Sequence, residues 1–394
     1  MIARRLGAAA ILALLAGCVT HETGPSSGIA TASPGYKPNV KTDEAGIWLT
    51  ADKAEAELRD SANRVRDPAI NALVSDMVCT LAAEYCGDLR PYVVRLPHFN
   101  ATASPNGSIS IWSGLLIRAR TESELAAVIG HEITHYARRH SLARIRNMRE
   151  NTDLAAVLSL LGATTGVAQV AELPHLMAVG NIQAFSRDNE RESDEDGFNR
   201  LVKAGYEPSA AADVWKRILD LRKAKHEFEY ESYEDRTVRL FVASHPPTEE
   251  REKSLRELAE KAAKPTKPPP DRLREALTAV RLDFLLDEVK LGQFRESKAL
   301  FELLLKDDPL PGQIYYALGE LYRKRAKDDD ELVAMSYFHQ ACEAAGAPPE
   351  AFRMVGTIRW RRGETEQAKE YFRRYLNAAP NAGDRALITH YLGS

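Results

Sequence analysis

VIGHEITHYARRH, residues 128–140, places two histidines four positions apart with a glutamate between them. Side chains at i and i+4 lie one above the other on a helix, so His131 and His135 can grip one ion together. Two imidazoles suit Zn²⁺, which in catalytic sites keeps three protein ligands and one open position. Glu132 projects to the neighbouring side, within reach of a water at that position, where a general base belongs. The local pattern supports a helix: Thr121 followed by Glu124 reads as a capping box, and LAAVIG (125–130) supplies apolar turns ahead of the histidines. The competing reading is coincidence on a basic helix, which ten histidines in the whole chain make uncommon.

A third ligand must come from elsewhere, and SRDNERESDEDG (186–197) is the richest source of carboxylates. Glu190 and Asp194 are four apart, on one face with Phe198; Glu192 and Asp196 form a rival pair. At ~100° per residue the two pairs point to different sides of a helix, so only one can face the ion. Position alone does not choose. A ligating imidazole also wants an acceptor for its other N–H, which a carboxylate one turn after the ligand would supply. His140, Arg138 and Arg139 read as residues that shape the helix end, and His98, His175, His226, His339 and His390 have no spacing that suggests chemistry.

Upstream, a helical pattern runs over 51–86, then YVVRL (92–96) and SISIW (108–112) read as short strands with a turn at Asn106-Gly107. Downstream, LAAVLSLLGATTGVAQVA (154–171) is nearly uncharged. It is short and interrupted by Gly162 and Gly166, which favours a buried or partner-covering helix over a membrane-dipping one. Further helices are expected over 176–204 and 209–229. AKPTKPPPDR (263–272) is a proline-rich break. Beyond it LGELY (318–322) fits the L-G-x-x-Y core of a tetratricopeptide repeat, and Val355-Gly356 recurs 37 positions after Leu318-Gly319. Ser297, Ala334 and Ala368 take a small-residue position, each followed four residues later by Phe301, Phe338 or Phe372, with Gly292 and Gly363 at turns between paired helices. Stacked helical repeats of this kind offer a groove for extended polypeptide.

At 394 residues the chain is expected to hold more than one domain, and a formal net charge of −3 gives no basic footprint for nucleic acid. Arg4 and Arg5 precede an apolar run, Leu6 to Leu15, too short for a permanent span of ~20 residues. LAGC (15–18) resembles the lipobox of bacterial lipoproteins, which implies cleavage before Cys18, lipid on that residue and a membrane anchor. Residues 18–45 are rich in Ser, Thr, Gly and Pro and read as a flexible tether. An exported chain permits disulfides. Cys79 and Cys86 are too far apart within one helix to bridge, but Gly87 lets the chain curl back, so a bridge is allowed and not required. Cys342 reads as a buried free thiol.

HEITH with NERESD (189–194) resembles the zinc metallopeptidase family typified by HtpX and the CAAX prenyl protease. Asn100, PNG (105–107), SGLL (113–116), ESELAAVIGHE (122–132) and SHPPTEER (244–251) extend the likeness over roughly residues 50–260. Departures are PNG where the family has P-G-G, and Ser193 where it has Ala. The resemblance implies His131, His135 and Glu190 as ligands of one zinc ion, Glu132 as the general base, and Asp194 behind His131. It also implies that His245 caps the metal at rest or steadies the oxyanion in turnover.

The expected fold is mainly α (α+β): a zincin-type peptidase domain with a small β-sheet over 46–262, a Pro-rich linker over 263–271 and an α-solenoid over 272–394. An edge strand near 108–112 is expected to pair with extended substrate. Repeats on an exported peptidase resemble the branch of the family devoted to assembly of β-barrel outer-membrane proteins. That implies unfolded or misassembled outer-membrane proteins as substrates, the barrel-assembly machinery as a partner of the repeats, and a periplasmic location with a lipid anchor in the outer membrane. The alternative is a chaperone or adaptor for barrel biogenesis with latent or minor proteolysis.

Overall fold

The computed structural model describes residues 29–151, 186–226, 245, 249–306 and 308–393. The signal segment 1–17, Cys18, His175 and the uncharged stretch 154–171 lie outside the described residues, as do parts of the 176–204, 209–229 and 244–251 segments. Of the expected tether, the part from Ile29 onward is held against the body. Ala32 N–H donates to Ala137 O, Tyr85 Oη–H donates to Ala32 O, and Arg139 lies over the Tyr36 ring.

The helical pattern over 51–86 forms two helices rather than one, α1 (Asp43–Asp60) and α2 (Pro68–Leu81). The reason is local. A residue before proline avoids the α region, and Asp67 caps the new helix by accepting from the amides of Ala69 and Ile70. A 3₁₀ turn at Ala83–Tyr85 then carries Cys86 back to within 4.6 Å (Cα to Cα) of Cys79, and the disulfide forms. Cys342 is the buried free thiol expected.

Three strands follow: β1 (Arg90–Val94), β2 (Ala101–Ala103) and β3 (Ser108–Trp112). Their order is β1-β3-β2, with β1 parallel and β2 antiparallel to β3. The expectation of an edge at 108–112 is therefore corrected: β3 is central and buried along its whole length. The turn Asn106-Gly107 folds β3 back on β2, and a crossover then pairs its other side with β1. Gly107 has φ +89, and a Cβ there would sit 2.2 Å from Asp88 O. The outer side of β1 is met by Arg64 and by Val65, whose N–H donates to Val93 O. The outer side of β2 faces the helix that carries HEITH.

That helix, α4 (Glu122–Ala137), follows the short α3 (Ser113–Arg118) and is buried from Glu124 to Ala137. Thr121 caps it by accepting from Glu124 N–H, as expected, but the Glu124 carboxylate turns back to Arg120 N–H and pairs with Arg217. After a break in which Arg139 takes φ +56, α5 (His140–Asn151) begins. Helices α6 (Arg187–Lys203) and α7 (Ala210–His226) pack on α4, and α8 (Glu249–Lys261) packs on both α6 and α7. Among the described residues no helix is long and apolar enough to cross a membrane.

Beyond the short α9 (Leu273–Leu277), the C-terminal part is a run of paired helices: α10 (Arg281–Lys290) with α11 (Phe294–Leu305), α12 (Gly312–Arg325) with α13 (Asp330–Glu343), α14 (Pro349–Arg361) with α15 (Thr365–Ala378), then α16 (Arg385–Gly393). The repeated residues have one physical use. Gly319 leaves room for the Phe338 ring and Gly356 for the Phe372 ring, each of which would lie within 2.7 Å of an added Cβ. Ser297, Ala334 and Ala368 are buried. The expected fold class, mainly helical with a small sheet and a helical repeat region, is the one observed. The two parts share one apolar cluster, and the buried pair Arg118–Glu288 joins α3 to α10 at 3.0 Å.

Candidate metal centre

The crossing of α4 and α6 builds the centre. Gly130 and Gly197 let the two backbones meet: a Cβ on Gly197 would lie 2.8 Å from His131 N. Glu190 and Asp194 precede Gly197 by seven and three residues, so they share its face and look at α4. This contact decides between the two carboxylate pairs. Glu192 and Asp196 point aside and bind Arg138 (3.1 and 2.7 Å).

His131, His135, Glu190 and His245 converge so that one ligand atom from each lies within 4.8 Å of all the others, and all four are buried. His131 Nε2 and His135 Nε2 are 3.0 Å apart. Glu190 Oε2 is 3.5 Å from His131 Nε2, and Oε1 is 3.4 Å from His135 Nε2. His245 Nδ1 reaches His131 Nε2 (3.2 Å) and Glu190 Oε1 (3.0 Å), while its Nε2 lies 3.6 Å from Glu132 Oε1.

Behind this ring, His131 Nδ1–H donates to Asp194 Oδ1 at 3.0 Å. Arg251 donates to both Asp194 oxygens (2.6 and 2.7 Å), reaches Glu190 Oε2 (2.7 Å) and lies 4.3 Å over the Trp215 ring. His135 Nδ1 meets His140 Nδ1 at 3.0 Å, and His140 Nε2 meets Glu192 Oε2 at 3.0 Å.

The charges packed around the ring set the protonation of its members. Burial opposes charge on His131, but Asp194 and Glu190 outweigh it and push its pKa up to about 9. Burial drives His135 well below its usual value, against the opposing pull of Glu190. Burial also works against an ionised Glu190, yet His245 and Arg251 hold it well below the carboxylate range. Two imidazole nitrogens and a carboxylate this close repel one another unless something positive sits among them. A proton on His131 is one solution; a divalent ion with N₂O ligands is the other, and the donor set suits zinc. Glu132 stands beside it with Oε1 buried and without a hydrogen-bond partner among the described residues, while Oε2 accepts from Ala103 N–H at 3.1 Å. Burial raises the Glu132 pKa, as befits a base that must accept a proton near neutrality.

The structure thus brings Glu132, His131, His135, Glu190, Asp194 and His245 together; Cys18 is outside the described residues. Arg251, Trp215 and Ala103 join the site with no role expected from the sequence, Glu192 enters from the rival carboxylate pair, and His140, expected only to shape the helix end, stands behind His135. Gly197 was the available signal for the face of α6. His140 gave none, because it enters only through the chain break at Arg139.

Comparison with known proteins places the chain among metallopeptidases. The chain is 30% identical over 264 residues to a Vibrio cholerae protein named as a β-barrel assembly-enhancing protease, covering 62% of this chain and 51% of that one. It is 30% identical over 259 residues to metalloprotease YcaL of Escherichia coli, covering 64% of this chain and 95% of YcaL. It is 32% identical over 128 residues to mitochondrial metalloendopeptidase OMA1 of Schizosaccharomyces pombe, covering 32% and 36%. The chain therefore spans about half the length of the Vibrio relative and nearly all of YcaL. Residues 65–259, which hold every element of the centre, match peptidase family M48, whose members use zinc. With the HEITH pair, the carboxylate on the crossing helix and this match, the chain belongs to peptidase family M48.

Proposed function

We propose that the protein is a zinc-dependent endopeptidase of the bacterial periplasm that degrades misfolded or stalled outer-membrane proteins and assists their assembly. In this reading it is held at the outer membrane through lipid on Cys18. The relative named as a β-barrel assembly-enhancing protease supports the substrate class. The paired C-terminal helices, read as tetratricopeptide repeats, recruit substrate or the barrel-assembly machinery.

The observation that carries the reading is the placement of Glu132 between the ligand cluster and the outer side of β2. Ser104 N–H donates to Ser108 O and Trp112 N–H to Asn100 O, so even-numbered residues of this strand pair with β3. Ala101 and Ala103 then present their main-chain groups outward, and Ala103 N–H already meets Glu132. An extended peptide added to β2 gains main-chain hydrogen bonds with little side-chain selection, which suits unfolded polypeptide.

His131, His135 and Glu190 would hold the zinc, which when bound supplies Lewis-acid polarisation of the scissile carbonyl and of the attacking water. Glu132 takes the proton from that water and delivers it to the leaving amine. Asp194 and Arg251 orient His131 and Glu190. His245, in contact with the ligand set, closes the open side at rest and moves to support the oxyanion in turnover.

The test is Glu132→Gln, assayed on casein and on an unfolded outer-membrane barrel protein, with zinc content measured alongside. Loss of cleavage with zinc retained supports the reading. Full cellular function in the same variant overturns it in favour of a chaperone or adaptor.

A further inference from the structure

We propose that His140 and Glu192 form a positioning relay that fixes the proton on His135 Nδ1 and so leaves His135 Nε2 free for the metal. The proposal rests on the zinc site argued above and concerns two residues to which that site assigns no role.

The argument is one of hydrogen-bond polarity. An ionised carboxylate only accepts, so Glu192 Oε2, 3.0 Å from His140 Nε2, requires the His140 proton on Nε2. A neutral His140 then has a bare Nδ1. That nitrogen is 3.0 Å from His135 Nδ1, so His135 must carry its own proton on Nδ1. The lone pair of His135 Nε2 is left facing His131 Nε2 and Glu190, where the ion belongs. The opposite His140 tautomer would set two N–H groups against each other, or force His135 to protonate Nε2 and lose its ligand atom.

The two ligand histidines are thus backed differently. His131 donates directly to a carboxylate, Asp194. His135 reaches a carboxylate only through a second imidazole. The intermediary is needed because His135 lies one turn further along α4, where α6 offers Glu192 rather than Asp194. The helix break brings His140 into the gap: Arg139 at φ +56 reverses the chain so that a residue five positions on returns to the face of His135. His140 is fully buried, with Ser193 Oγ 3.4 Å from its Nδ1, and Glu192 is itself held by Arg138 at 3.1 Å. Groups that orient a metal ligand in this way contribute ~10–100-fold in affinity.

Zinc affinity, measured by chelator competition on the purified full chain, and ¹⁵N spectra of the histidine rings test the relay together. In the wild type the spectra should show His140 protonated at Nε2 and bare at Nδ1, and His135 protonated at Nδ1. His140→Leu should weaken zinc binding by ~10–100-fold. His140→Asn, whose Oδ1 can still accept from His135, should recover most of that loss. Recovery by Asn separates orientation from mere filling of space, and the ring spectra need no variant should Leu not fold. A wild type that binds zinc but shows His140 protonated at Nδ1 overturns the relay alone, as does His140→Leu with unchanged affinity. A wild type that binds no zinc at His131 and His135 overturns the metal site, and the relay with it.

Discussion

Glu132 and Arg251 show how single side chains in this centre are set against burial. Glu132 is buried, lacks a hydrogen-bond partner for Oε1 among the described residues and has its pKa raised, a cost in stability that the proposed role as a base would explain. Glu132→Gln should therefore keep one zinc per chain and lose ~10²–10⁴-fold in kcat; zinc content by mass spectrometry and a fluorogenic casein assay read the two effects separately. Among the described residues Arg251 is the guanidinium that pairs with both Asp194 and Glu190. Removing one partner of a buried ionic group costs ~3–5 kcal/mol. Arg251→Met should destabilise the zinc-free protein by about that amount in urea. A loss below about 1 kcal/mol would mean that the carboxylates find compensation elsewhere.

Among the secondary-structure elements, the crossing of α4 and α6 has little tolerance. Gly197→Ala puts a methyl 2.8 Å from His131 N, and the obstacle is backbone, which cannot rotate away. The variant should lose ~1–3 kcal/mol and bind zinc more weakly, because Glu190 moves with its helix; a thermal melt and a chelator titration check both. The Cys79–Cys86 bridge ties the end of α2 to the turn that carries Tyr85, whose ring packs on Tyr136 of α4. A closed loop of this size contributes ~2–3 kcal/mol. The Cys79→Ala/Cys86→Ala pair should melt lower than the oxidised wild type, and reductant should no longer shift its melting point.

Over the whole molecule, the peptidase and repeat parts are joined by buried charge as well as by apolar packing. Glu122, at the start of α4, accepts from Arg272, just before α9, and from Tyr206 of the segment before α7. Burial opposes its ionisation, but Arg272 and Tyr206 outweigh burial and lower its pKa from the ordinary 4.5. A carboxyl depressed in the folded state contributes stability that is fully present above its unfolded value and lost as pH falls through its folded value. The melting difference between wild type and Glu122→Gln should be largest near neutrality and shrink as pH is taken below about 4.5. A difference that is constant with pH would mean that Glu122 acts through shape rather than charge.

Whatever repeats within a few residues was determined by the chain itself. The i, i+4 histidines, the Thr121 cap, the turns at Asn106-Gly107, Gly292 and Gly363, and the small-residue and Phe positions of the repeats all follow from backbone periodicity and steric size, which need no distant partner. Tertiary structure decided what depends on residues far apart in sequence. The helix crossing at Gly130 and Gly197 selected Glu190 over Glu192. The crossover to β1 buried β3 and left β2 as the outer strand of the sheet, beside Glu132. The Arg139 break swung His140 behind His135. Each turns on which faces meet in space, and helical or strand periodicity says which residues share a face but not what that face will touch.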